Sequence, residues 1–148
     1  MTYSIRRLSL SDMDRAAIVL RTAFDDALPW LSGLHTPEED RAFFRNRVFV
    51  DDEVWGAIDG EIIGIIAFRE GWIDQLYVLP GRQREGVGEK LLQVAKSTWP
   101  SLKLWTFQKN RAARDFYEKH GFAPEEMTDG SGNEEREPDV LYAWRRTG

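Results

Sequence analysis

The stretch LYVLPGRQREGVGEKLL, residues 76–92, decides the fold. It passes from an aromatic and β-branched run through Pro80 and Gly81 into a basic turn. It then enters a segment where Val87, Leu91, Val94 and Ala95 recur at helical spacing. Two glycines, Gly86 and Gly88, stand where that helix begins. A helix start leaves up to four backbone N–H groups without intrahelical partners, and the dipole adds about half a positive charge there. With Arg82 and Arg84 beside it, the turn suits an anion; plain helix punctuation is the competing reading. A dinucleotide fingerprint would need a third glycine at position 91, which is Leu91. A nucleotide-hydrolase loop would need Gly-Lys-Ser/Thr, whereas Gly88 is followed by Glu89 and Lys90.

Composition sets the frame around this turn. A chain of 148 residues, 42% hydrophobic and 30% charged, with six Trp and eight Phe, is expected to fold as one domain spanning 1–148. The longest apolar run, IIGIIAF at Ile62–Phe68, is far short of the roughly 20 residues that span a bilayer. The first residues lack the apolar core of a signal peptide and there is no cysteine, so a cytoplasmic protein without disulfides is expected. No metal site and no membrane contact are expected. A net charge of −5, with acidic runs at Asp51–Glu53 and Glu134–Glu137, argues against nucleic acid as a partner and reads mainly as solvated surface.

Working outward, YSIRRL alternates like a strand, and Met13, Ala16, Ala17, Leu20 and Phe24 keep helical spacing after a cap at Ser11 or Asp12. DDALPWLSGLH breaks that pattern and reads as a loop exposing Trp30, while Thr36, Pro37 and Glu39 spell a capping box for a second helix. EVWGAI, IIGIIAF and WIDQLYV, separated by Asp59-Gly60 and Glu70-Gly71, predict three antiparallel strands. The helix opened by the glycines ends before Pro100. LKLWTF predicts a strand, NRAARDFYEKH a helix stopped by Gly121, and VLYAW a closing strand, with a further short strand near Phe122. TDGSGNEEREPD reads as the most flexible segment, a long connection before the last strand. The order β-α-α-β-β-β-α-β-α-β predicts a mixed sheet flanked by helices.

The second constellation lies about 20 residues downstream, where NxxAxxFYxxxGF places Asn110, Ala113, Phe116, Tyr117, Gly121 and Phe122. Taken singly these are a helix cap, core residues and a C-cap. Together, the strand LYVLP, the turn QREGVG and this second motif resemble the GNAT superfamily of N-acetyltransferases. The specific motifs fall between Leu76 and Phe122, and the element order matches over nearly the whole chain. One departure is Arg84, where many members carry glycine; it adds a charge that suits a pyrophosphate.

The resemblance implies an α/β (α+β) fold: a mixed, largely antiparallel sheet of six or seven strands with about four helices and a splayed strand pair at the cofactor site. It implies acetyl-CoA as cofactor, held by a loop whose motif Gln83, Gly86 and Gly88 satisfy, with the backbone of Arg84, Glu85, Gly86, Val87, Gly88 and Glu89 around the pyrophosphate. Leu76 and Val78 would bond the pantetheine arm as an added strand, and Asn110, Ala113, Phe116 and Tyr117 would complete the cofactor face. By the same resemblance the Val78 N–H is the oxyanion donor and the Tyr117 phenol protonates the leaving thiolate.

An amine with a pKa of about 10 needs a proton acceptor at neutral pH. Asp74 is the candidate base, since strand alternation puts it on the side of Leu76, and burial beside Trp72 would raise its pKa. Orienting substrate or pairing with an arginine are its other readings, and a water chain would need no carboxylate. Leu28, Trp30, His35 and Trp72 are the expected acceptor pocket, around a primary amine of a small molecule, amino acid derivative or peptide. A non-catalytic acyl-CoA sensor of the same fold is the alternative function. Acyl-chain length and a homodimeric state stay open.

Overall fold

The computed structural model describes residues 2–147. Its strands are β1 (Ser4–Arg7), β2 (Glu53–Asp59), β3 (Glu61–Arg69), β4 (Trp72–Val78), β5 (Ser101–Phe107), β6 (Ala123–Met127) and β7 (Asp139–Arg145). They form one sheet in the order β1-β2-β3-β4-β5-β7-β6, antiparallel throughout except where β4 meets β5. The hairpins β2–β3 and β3–β4 close at Asp59-Gly60 and Glu70-Gly71, as the turn residues predict.

Helices cover both faces. α1 (Met13–Ala27) and α2 (Pro37–Phe43) lie on one, and α2 runs on through a π turn, Phe44–Val48, into the single turn α3 (Phe49–Asp51). α4 (Val87–Thr98) and α5 (Arg111–Lys119) cover the other. The α2 capping box forms as spelled: the Glu39 N–H donates to Thr36 Oγ1 at 3.1 Å and the Thr36 N–H to Glu39 Oε1 at 2.7 Å. Asp12, one of the two cap positions the sequence suggests, is the N-cap residue of α1, but its side chain points back across a 3-10 turn, Leu10–Asp12, that precedes the helix. The Ser9 N–H donates to the Asp12 carboxylate at 2.8 Å. Arg6, bonded to the same carboxylate, holds the Asp12 pKa down at about 2.

Side chains from the two faces of β3 sort the core into two halves, with the alternation reset where the β2–β3 register shifts at Ile63. Ile63, Ile66 and Phe68 of β3 pack with Val87, Leu91 and Leu92 of α4, while Ile62 and Ile65 pack with Met13, Ala16 and Leu20 of α1. Each fully buried Leu or Ile contributes about 1.5–3 kcal/mol to this sandwich. No helix among the described residues is long and apolar enough to cross a membrane.

Two of the sheet's irregularities shape the site. β4 and β5 run parallel and are bridged only at Trp72 and Lys103, with the Lys103 N–H donating to the Gly71 carbonyl at 2.8 Å, so beyond that point the strands diverge. And β4 carries a bulge: Ala67 pairs with Gln75 but Phe68 with Ile73, which leaves Asp74 as the extra residue.

Candidate active site

The splay leaves part of β4 with unused backbone groups. The Leu79 N–H bonds the Ile63 carbonyl at 2.9 Å, and in an antiparallel ladder bonded and unbonded pairs alternate. Val78 opposite Gly64 and Leu76 opposite Ile66 are therefore the unbonded pairs, so their N–H and C=O groups face away from β3 into the gap beside β5. The Val78 carbonyl accepts from Gln83 Nε2 at 3.0 Å, which folds the turn back over the end of β4.

That turn delivers the chain to α4. Gly86 is the N-cap at φ +79°, a left-handed conformation that side chains with a Cβ resist. The first α4 backbone bond runs from the Lys90 N–H to the Gly86 carbonyl at 3.0 Å, so the N–H groups of Val87, Gly88 and Glu89 stand ahead of the ladder. Gly88 is small for a second reason: a Cβ there would come within 3.3 Å of the Phe116 ring. It lets the first turn of α4 lie against α5. Arg82 does not serve the turn as an anion-binding cation. Its guanidinium is taken by Glu85 at 2.7 Å and Asp59 at 2.8 Å. Arg84 is exposed and has no ion pair among the described residues, so the cation that departs from the family habit is the one left for a ligand.

A cleft of about 500 Å³ opens at the splay. Gly88, Phe116 and Tyr117 line it on the α4–α5 face and Phe24, Ala27 and Leu28 on the α1 face, with Leu76, Val78 and Thr106 between them. It thus passes through the sheet. Asn110 caps α5, its Oδ1 accepting the Ala113 N–H at 3.2 Å, and both residues line the cleft. The Tyr117 ring is 8% exposed, and its hydroxyl has no hydrogen-bond partner among the described residues. Burial pushes its pKa up, so the phenol stays protonated at neutral pH. A buried phenol held this way gives a proton to an anion formed next to it and ionises reluctantly otherwise.

The acceptor side departs from the sequence expectations. Only Leu28 of the four expected pocket residues lines the cleft. α1 runs on to Ala27, so the chain reverses at Leu28 and a 3-10 turn, Pro29–Leu31, carries Trp30 outward. There Trp30 Nε1 donates to Glu137 Oε1 at 2.9 Å and Lys109 lies over its ring at 5.6 Å. His35 stands 3.0 Å from Glu134. Trp72 lies at the closed end of the splay with the Arg69 guanidinium 5.5 Å over its ring. In their place α1 supplies Phe24, which meets Phe107 edge to face at 6.3 Å, and Asp26. Sequence reasoning misses both because the helical spacing of Phe24 reads as core.

The connection between β6 and β7 is a folded loop. Asn133 Nδ2 donates to the Glu137 carbonyl at 2.8 Å and its Oδ1 accepts the Glu137 N–H at 3.2 Å, while a Cβ on Gly130 would collide with the Glu137 backbone. Through Trp30–Glu137 and His35–Glu134 this loop is tied to the loop after α1. A second hollow, about 630 Å³, adjoins the cleft along Trp105–Phe107 and is walled by Thr128, Asn133 and Glu135 of that loop.

Asp74 lines the cleft, but not as a buried carboxyl on the side of Leu76. The bulge places it out of phase, it is exposed, and Arg69 grips it through Nε at 2.7 Å and Nη2 at 3.3 Å. The raised carboxyl is its neighbour Asp52, which burial and Asp74 push up to about 7.

Comparison with known proteins agrees with this geometry. The acetyltransferase (GNAT) domain family matches residues 37–124. Peptidyl-lysine N-acetyltransferase YiaC of Escherichia coli (strain K12) is 35% identical over 65 residues, 43% of this chain and 44% of that protein. The chain thus matches less than half the length of that curated relative. The solution structure of apo-form YjaB from Escherichia coli superposes with a TM-score of 0.81 at 22% identity, covering 99% of this chain and all of that one. PaiA N-acetyltransferase from Thermoplasma acidophilum, solved in complex with coenzyme A, gives 0.72 at 24% identity over 98% of this chain and 99% of the other.

Proposed function

The chain belongs to the GNAT family of acetyltransferases, and from that premise we propose that it transfers an acetyl group from acetyl-CoA to a primary amine by direct attack. The observation that carries this reading is the open backbone edge of β4 at Leu76 and Val78, continuous through the Gln83 turn with the bare N-terminus of α4.

The residues fit the cofactor. The backbone of Arg84, Glu85, Gly86, Val87, Gly88 and Glu89 offers N–H donors to a pyrophosphate, Arg84 adds a free cation, and Gly88 keeps the approach clear. Leu76 and Val78 bond the pantetheine arm as an added strand, with Asn110, Ala113 and Phe116 forming the opposite wall. Bound acetyl-CoA supplies the acetyl thioester. The Val78 N–H, aimed into the gap, stabilises negative charge developing on the thioester oxygen. Tyr117 gives its proton to the departing sulfur. Asp74, on the cleft wall, receives the proton that the acceptor ammonium must lose.

The acceptor is a primary amine of a small molecule, amino acid derivative or peptide; the peptidyl lysine named for the Escherichia coli relative falls in this class. Phe24 and Phe107 with Asp26 suit the approach of a cationic chain from the α1 face. The test is a thiol-release screen of an amine library with acetyl-CoA. Turnover with at least one amine is expected, and tight cofactor binding without thiol release from any amine would leave an acyl-CoA sensor instead.

A further inference from the structure

Three charged side chains meet at the closed end of the splay. Asp52 links α3 to β2, and its N–H donates to the Val48 carbonyl at 2.9 Å, so the π turn sets its position. Its side chain is 2% exposed. Arg69, the last residue of β3, grips Asp74 with two nitrogens and approaches Asp52 Oδ1 only to 4.0 Å. Asp52 and Asp74 thus converge on the same guanidinium, and Asp51 adds a further negative charge from α3.

Two carboxyls therefore compete for one guanidinium whose fork is spent on Asp74. With one of the two out of water, both cannot stay ionised without cost, as in any close carboxyl pair in a partly desolvated place.

We propose that Asp52 and Asp74 act as one proton-accepting pair, in which Asp74 faces the acceptor amine and Asp52, as a positioning residue behind it, holds the shared proton. The inference rests on the amine-acetyltransferase reading. The balance is simple: R–NH3+ gives one proton to the doubly ionised pair and becomes R–NH2. Its lone pair forms the C–N bond as the C–S bond breaks with its electrons on sulfur. Tyr117 protonates that sulfur while its phenolate takes the second N–H proton. The pair then returns the first proton to solvent, so one proton is released for each amide and thiol formed. Above neutral pH the pair is ready; below it the shared proton blocks the step.

The test has two arms. In the resting protein, carboxyl carbon NMR should show Asp52 titrating near neutrality, and Asp74→Asn should move that titration down; an Asp52 that titrates below about pH 5 overturns the proposal, whatever any acetylation assay gives. In turnover, kcat/KM for the amine should fall on an acidic limb near pH 7. Asp52→Asn should move that limb down by about one pH unit or more and lower kcat roughly tenfold or more at pH 8, with unchanged acetyl-CoA affinity. Asp52→Glu should restore much of the limb. An unshifted limb in Asp52→Asn overturns the proposal, while absent turnover with neutral-range NMR titration counts against the acetyltransferase reading and not against the pair.

Discussion

The two faces of the cleft are built in different ways. The α4–α5 face, where we place the acetyl donor, is built from backbone: a turn, a helix start and an open strand edge, all within residues 76–92, with α5 alongside. The α1 face is built from side chains that meet over long sequence separations, such as Phe24 with Phe107, and is backed by a loop contact of the same kind, Trp30 with Glu137. A backbone site is specified by local geometry and tolerates many side chains. A side-chain site can change its ligand by changing a few residues, so the half proposed for the acetyl donor and the half proposed for the acceptor can vary independently.

The largest expected effect sits at the seam. Tyr117→Phe should cut turnover by roughly 10²-fold or more while acetyl-CoA affinity, read by calorimetry, stays the same. The fold should be little disturbed, because no described group bonds the hydroxyl being removed. Next, Arg84→Glu should weaken acetyl-CoA binding about tenfold, more at low salt, and leave the acceptor KM unchanged; an equal loss at the acceptor would erase the distinction between the faces. On the opposite face, Trp30→Phe leaves the Glu137 carboxylate without its indole donor. It should cost about 1–2 kcal/mol in urea unfolding and raise the acceptor KM severalfold, with acetyl-CoA affinity intact. Smallest, Thr36→Ala breaks the α2 capping box, outside both faces, and should cost about 1 kcal/mol with no kinetic change.

The same contrast explains which features are legible in the chain alone. Turn glycines, the capping box and the 2- and 3.6-residue periods are local signals, and six strands, with a further short one near Phe122, follow from them; the donor face is what the family resemblance implies. The bulge at Asp74 leaves no mark in its sequence, so simple alternation puts the residue on the wrong side with the wrong burial. Trp30 and His35 do lie in a loop, as their surroundings predict, but their partners Glu137 and Glu134 lie about 100 residues away. Arg82 reads as a phosphate ligand because Asp59 is distant in sequence. Asp52 is hidden in an acidic run that reads as solvated surface. Yet it lies two residues before the buried Val54, and that alternation into β2 is the signal that one carboxyl of the run turns inward.

The central claim is that the open β4 edge and the start of α4 bind acetyl-CoA. Calorimetric titration of the intact protein with acetyl-CoA tests it most directly. A one-to-one isotherm with a dissociation constant of about 1–100 μM is predicted; no binding heat at any temperature tried, up to about 1 mM ligand, would contradict it.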